Sequence, residues 1–273
     1  MNVHLTDVPS MHANRARISR HDSLIGTVGT LEVRLAKSRA EIVEAQQLRH
    51  RIFLQERGLV AECGKGARDH DRFDRFCDHL IVADRADNGR IVGTYRLLRQ
   101  DMAMIAGGFY SEAYFDVARL ARQNPGKSIL ELGRSCVEPE YRTKRTVELL
   151  WHGIWAYCRM HGIDVLTGCA SFDGDDPFAH AQTLTFLAHH CQPEAQWNTS
   201  AVPGRRHPMM LCDPFKVDPK SAFLALPPLL KGYLRVGAKI ADGCVADHAF
   251  KTTVVLVVLP VDVISERYRR HFA

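Results

Sequence analysis

Residues 129–150, ILELGRSCVEPEYRTKRTVELL, constrain the fold more than any other stretch. Residues 129–137 are apolar and β-branched enough for a buried strand, Pro139 ends it, and Val147, Leu150, Ile154 and Cys158 then recur at helical spacing. A strand, a basic turn and a helix therefore follow in immediate succession. Arg142, Thr143, Lys144, Arg145 and Thr146 gather cations and donors where that helix begins. With the free backbone N–H groups of a helix start, this makes an anion site fit for a phosphate-bearing ligand.

At 273 residues and 46% hydrophobic, the chain can bury a sizeable core as one elaborated domain. Residues 1–28 read as a loose polar tail, 29–273 as the domain, and about 213–273 as its C-terminal extension. No secretory-type apolar core occurs in 1–25, and the apolar run at 254–261 falls far short of the roughly 18–20 residues that cross a bilayer. A cytoplasmic protein is expected. Eight cysteines are scattered without a CxxC pair or matching His spacing, which favours reduced thiols over a zinc site. The net charge of +5 suits an acidic partner, but charge alone does not separate a protein from nucleic acid or an anionic membrane.

Along the chain, 31–36 alternates as a strand, and 39–58 carries a helical face of Ile42, Ala45, Leu48, Ile52 and Phe53, stopped by Gly58. Residues 58–78 read as a loop with at most a short helical turn. Runs 79–83 and 91–98 form a hairpin about Asp87-Asn88-Gly89. A short helix is expected over 112–121, a strand over 163–170, and a helix from Asp176-Pro177 through His189. Proline-rich 191–230 should be mostly irregular, 251–259 a late apolar strand, and 265–271 a basic end. The order is mixed α/β.

The turn V-E-P-E-Y-R at 137–142 resembles the pyrophosphate-binding turn of the GNAT acetyltransferase superfamily, V-x-P-x-Y-R-x-x-G-x-G. Arg145 and Val147 stand at that pattern's two glycines, so the expected ligand is the single phosphate of a carrier protein's pantetheine arm rather than a cradled diphosphate. Leu-Arg-x-x-Ile-Phe (Arg49, Phe53), Asp-x-Phe-Asp (Asp71, Asp74), Arg-Leu-Leu (Arg96) and Glu-x-x-Arg (Glu131, Arg134) resemble, in order and spacing, the signature of the acyl-homoserine-lactone synthases. Those GNAT-fold enzymes acylate S-adenosylmethionine. Their tryptophan after the first helix is replaced here by Gly58-Leu59.

A closer resemblance, over roughly 30–270, is to the bacterial L-ornithine Nα-acyltransferase family. It rests on ELGRSCVEPEYR at 131–142, LLWHGIWAYC at 149–158, GCASFDGDDPFAHA at 168–181 and PPLLKGYLRVGAKI at 227–240. The resemblance implies a GNAT-like fold, with a mixed, mostly antiparallel twisted sheet flanked by helices. It implies transfer of a 3-hydroxyacyl group from acyl-carrier protein to L-ornithine, giving lyso-ornithine lipid. No metal or redox cofactor and no nucleic acid are implied, the pantetheine arm being a substrate. Peripheral contact with the inner face of the membrane is a further expectation. Acyl or pantetheine contacts would fall to Cys136, Val137, Ser171 and Phe172 beside the basic turn. An autoinducer synthase, or a non-catalytic module that binds acyl-carrier protein, are the alternatives.

Amide formation needs a neutral amine, and an α-amine of pKa about 8 is mainly protonated at neutral pH. Glu131 is the candidate base, directly or through water; Asp71 and Asp74 are candidates for ornithine's ammonium groups, and Arg49 or Arg96 for its carboxylate. On a regular strand Glu131 and Arg134 face opposite sides. They share a site only if the strand bulges, and Gly133 is the expected place. Such a bulge would also free a backbone N–H for the thioester carbonyl.

Overall fold

The computed structural model describes residues 24–59 and 66–264. It opens with an antiparallel pair, β1 (Leu24–Val28) and β2 (Leu31–Leu35), so part of the expected tail is a sheet edge. Ser38 then caps α1 (Arg39–His50), accepting a hydrogen bond from the Glu41 amide at 3.2 Å. The helix does not run on to Gly58 as one cylinder, because Arg51–Gln55 loosens into a π-turn. The expected hairpin forms from β3 (Asp78–Asp84) and β4 (Arg90–Arg99), with a register shift between Val82 and Ala83 and with Asn88 and Gly89 in the left-handed region. Two short helices, α2 (Gln100–Ala106) and α3 (Val117–Gln123), take the place of the one expected over 112–121.

After β5 (Ile129–Val137), Thr143 caps α4 (Lys144–His161), whose buried stripe runs through Thr146, Leu149, Leu150, Gly153, Ile154, Tyr157 and Cys158. Val147 is half exposed, so the stripe begins one residue earlier than its apolar character suggested. β6 (Val165–Asp173), α5 (Ala181–His190), α6 (Pro219–Ala225) and α7 (Pro228–Arg235) come next. Proline at the first position of α6 and α7 is compatible with a helix start, which is why the region is less irregular than its composition implied. The short strands β7 (Lys239–Ile240) and β8 (Val245–Asp247) precede β9 (Thr252–Pro260). The basic end at 265–271 lies outside the described residues.

The strands form one sheet in the order β1-β2-β3-β4-β5-β6-β9-β7, with β8 also on β9. Every pairing is antiparallel except β5 with β6. The late apolar strand thus completes the interior of the sheet. One face, bearing Leu80, Leu130, Leu132, Ala170 and Val255, packs on α4, α5, α6 and α7. The opposite face, bearing Leu98, Ile129, Leu256 and Val258, packs on α2 and α3, and α1 covers it beside Ile81 and Ile91.

The parallel pair is short: it joins residues 129–131 to 165–167 and then opens. Beside the last pair, a Cβ on Gly168 would lie 2.2 Å from the Leu132 carbonyl oxygen, so only glycine permits this approach. Beyond it β5 and β6 splay apart, and the gap is where the molecule is hollow.

Candidate active site

The register of β5 on β4 jumps from Gly133 opposite Arg96 to Cys136 opposite Thr94. Two residues, Arg134 and Ser135, therefore face the single Tyr95, and Arg134 adopts φ 51°. The bulge lies just past Gly133, on the arginine itself. A left-handed conformation at a non-glycine residue costs on the order of 1–3 kcal/mol. Here it is held by contacts: Arg134 Nε lies 2.9 Å from Asp69, and the guanidinium sits 4.7 Å from the Tyr110 ring centre and 5.4 Å from that of Phe250. The extra residue turns Arg134 to the side of the sheet that carries Glu131, as the shared-site idea required.

Glu131 is buried. Its Oε2 accepts the Tyr110 amide at 2.8 Å, and its Oε1 accepts the Ser111 amide at 2.7 Å and the Ser111 hydroxyl. Burial pushes its carboxyl above the usual value, against these donors and Arg96, which favour the anion. The Ser111 hydroxyl in turn accepts from the Cys169 thiol at 3.2 Å. Glu131 is thus joined to Arg134 through Tyr110 rather than by a direct ion pair.

Two cavities meet at the bulge, sharing Phe53, Arg57, Ser135 and Phe250. The outer one, about 630 Å³, is walled by Glu56, Cys136, Val137, Arg142, Asp173 and Lys251 among others. The π-turn after α1 presents Phe53 to it, and Arg57 follows just past the turn's end. The inner one, about 280 Å³, passes through the splayed sheet. On the α4 side its walls are Tyr95, Leu132, Ala170, Leu229 and Tyr233; on the other they are Tyr110, Tyr114, Arg134, Cys169, Asp247 and Phe250. Burial pushes the thiols of Cys136 and Cys169 up to about 12, so both stay protonated at neutral pH. Neither is suited to carry an acyl group as a thiolate nucleophile, which favours direct transfer between bound substrates. Among the described residues no group of three or more His, Cys, Asp or Glu side chains could hold a metal ion.

Of the residues singled out in the sequence, Phe53, Cys136, Val137 and Arg142 line the outer cavity, and Phe53, Arg134 and Ser171 the inner one. Arg49, Asp71, Asp74 and Arg96 line neither, nor does Glu131, which meets the inner cavity only through Ser111 and Cys169. The first four are matched to one another: Arg49 bonds Asp69 at 2.9 Å and Asp74 at 2.8 Å, and Arg96 bonds Asp71 at 2.7 Å. Groups assigned to an acceptor's charges are thus already neutralised, and they brace the wall that carries Arg134. Phe172 is core, stacked 4.9 Å from His180. At the basic turn, Thr143 caps the helix by accepting the Thr146 amide at 3.3 Å, Arg142 pairs with Glu56 at 2.6 Å, and Lys144 and Arg145 are exposed outside the cavity. Arg57, Tyr110, Tyr114, Asp247 and Phe250 escaped the sequence reading, since nothing local marks them. Asp247 shows only the Asp-x-x-Phe spacing of a side-chain-capped turn, its Oδ1 accepting the amides of Ala249 and Phe250.

Residues 48–152 match the family model described as an acetyltransferase (GNAT) domain. The solved structure of FeeM, an N-acyl amino acid synthase from uncultured soil microbes, aligns with a TM-score of 0.48 at 12% identity, over 85% of this chain and 91% of that one. The chain is 52% identical over 255 residues to the L-ornithine N(alpha)-acyltransferase of Brucella abortus (strain 2308), covering 91% of each chain. It is 48% identical to that of Rhizobium meliloti (strain 1021), covering 98% of this chain and 93% of the relative. With about half of all positions shared over nine-tenths of both chains, and a GNAT fold around a splayed, bulged strand pair, this acyltransferase belongs to the L-ornithine Nα-acyltransferase family.

Proposed function

We propose that the protein transfers a 3-hydroxyacyl group from acyl-carrier protein to the α-amine of L-ornithine. The observation that carries this reading is the two-chambered passage through the bulged sheet. The outer cavity has Arg57, Arg142 and Lys251 for a single phosphate, tempered by Glu56 and Asp173. Lys144 and Arg145, exposed beside it, suit an acidic carrier. The pantetheine arm runs inward past Val137 to Ser135, and the acyl chain enters the apolar half toward Tyr95, Leu132 and Tyr233. The bulge leaves Arg134 and Ser135 outside the β4 register, and a backbone N–H there receives the thioester oxygen.

The acceptor enters the aromatic half, its carboxylate on Arg134, which lines that cavity while also pairing with Asp69 at 2.9 Å and Asp71 at 3.6 Å. The acceptor's α-amine, bound as an ammonium, first sheds one proton; the neutral nitrogen then attacks the carbonyl carbon, the C–N bond forms, the C–S bond breaks, and a second N–H proton goes to the sulfur, so that the carrier leaves as a thiol. The proton shed by the amine passes through Cys169 and Ser111 to Glu131, which makes that carboxylate a base reached by relay. No redox or metal chemistry is called for.

The test offers purified protein 3-hydroxyacyl-acyl-carrier protein with ornithine, lysine, glycine or S-adenosylmethionine, and reads products by mass spectrometry. N-acyl-ornithine is expected as the main product, and its absence rejects the reading. No helix among the described residues is long and apolar enough to cross a membrane. We place the protein in the cytoplasm with peripheral membrane contact through exposed Leu224 and Phe215 near Lys220, Lys216 and Lys231. Protein absent from the floated fraction with anionic liposomes removes that contact.

A further inference from the structure

Asp247 is 6% exposed and lines the inner cavity, yet it has no ion pair with any cation among the described residues. Asp69, Asp74 and Glu138, by contrast, each contact at least one arginine, and of the buried carboxylates with no ion pair among the described residues, Glu131, Asp84 and Asp247, only Asp247 lines this cavity. An ionised carboxylate offers about four acceptor positions. On Asp247, Oδ1 takes the amides of Ala249 and Phe250 at 3.1 and 3.3 Å, and Oδ2 takes the Tyr114 hydroxyl at 2.7 Å. That leaves one acceptor position on Oδ2, at the cavity wall. Withdrawing a carboxylate from water without a counter-charge is costly, and a cation arriving from the cavity recovers much of that cost. The neighbouring walls are the rings of Tyr110, Tyr114 and Phe250, whose faces also favour a cation.

Across those same rings lies Arg134, stacked on Tyr110 and Phe250, while Tyr110 and Tyr114 stand 6.1 Å apart between centres. The inner cavity therefore presents a guanidinium at one end of an aromatic wall and an uncompensated carboxylate at the other. We infer that Asp247, oriented by Tyr114, binds the side-chain ammonium of the acceptor amino acid and so sets the preference for a diamino acid. The inference rests on the acyl-transfer reading above and extends it to specificity. With the side-chain amine held as an ammonium at Asp247 and the carboxylate at Arg134, only the α-amine is left near the bulge, which also accounts for acylation at that nitrogen.

The experiment compares ornithine with norvaline, the same skeleton without the second amine, as acceptors for wild type, Asp247→Asn and Tyr114→Phe. Asparagine keeps an oxygen for the local donors, and Tyr114→Phe removes only a hydroxyl, so at least one variant retains the fold, as circular dichroism will verify. In Asp247→Asn the ratio of kcat/KM for ornithine to that for norvaline is expected to fall roughly 100-fold or more. Tyr114→Phe should lower the ornithine-to-norvaline ratio about 5- to 10-fold. An unchanged ratio in both folded variants overturns the assignment of Asp247. A wild type that acylates lysine in place of ornithine, with the same collapse in Asp247→Asn, upholds this inference and rejects the ornithine reading.

Discussion

Replacing Arg49 with alanine is expected to lower folding stability by about 3–5 kcal/mol, the usual cost of stripping one partner from a buried ion pair. Arg49 is fully buried and donates to Asp69 and Asp74 together. Asp69 in turn holds Arg134, and Asp74 contacts Arg96 at 3.7 Å, so the loss spreads to the bulge. Burial works to raise the Asp74 carboxyl, but Arg49, the Asp71 amide and Arg96 together keep it below its usual value. A depressed carboxyl stabilises the fold above its unfolded pKa of about 3.9, and that contribution is lost as pH falls through the folded one. Removing Arg49 should therefore also flatten the acid side of the stability curve. Urea melts at neutral and acid pH measure both effects, and a loss under about 1 kcal/mol would show that the network is not a brace. Lysine should restore only part of the stability, since a point charge cannot bridge two carboxylates as a guanidinium does.

Glu131→Gln is expected to reduce kcat/KM by roughly 10²- to 10⁴-fold, the range for loss of a general base. Because burial raises the Glu131 carboxyl, wild-type kcat/KM should rise with pH through a value above the ordinary glutamate pKa of about 4.3, and this acid limb should vanish in the variant. The variant also puts an amide against the Tyr110 and Ser111 donors, so its fold is checked by thermal melting. A folded variant that loses less than about fivefold, with the acid limb intact, would make Glu131 only the anchor of the Tyr110–Ala113 turn.

Much of the fold could be read from residues 129–150, because a buried strand, a proline stop and a helical stripe are local patterns. The need for a bulge followed from the odd spacing of Glu131 and Arg134, although the extra residue proved to be Arg134 with Ser135 rather than Gly133. Local signals were weakest where elements are short. β7 and β8 have two and three residues, and they exist because β9 offers them an edge. Charged motifs are hard to read in a different way: Arg49, Asp71, Asp74 and Arg96 are polar and regularly ordered, but which of them face one another depends on pairings over 20 or more positions. Tyr114 and Asp247 meet across a separation of 133 residues, a contact with no counterpart in spacing.

The central claim is that the thioester sits at the Arg134–Ser135 bulge, with the acyl chain on one side of the sheet and the acceptor amine on the other. A crystal structure with a non-hydrolysable 3-hydroxyacyl-pantetheine analogue and ornithine tests it most directly. The account predicts the carbonyl oxygen within hydrogen-bond reach of a bulge amide, the chain against Tyr95, Leu132 and Tyr233, and the α-nitrogen approaching from the side of Tyr110. An acyl chain lying instead against Tyr110, Tyr114 and Asp247, or an analogue bound away from the gap between β5 and β6, would contradict it.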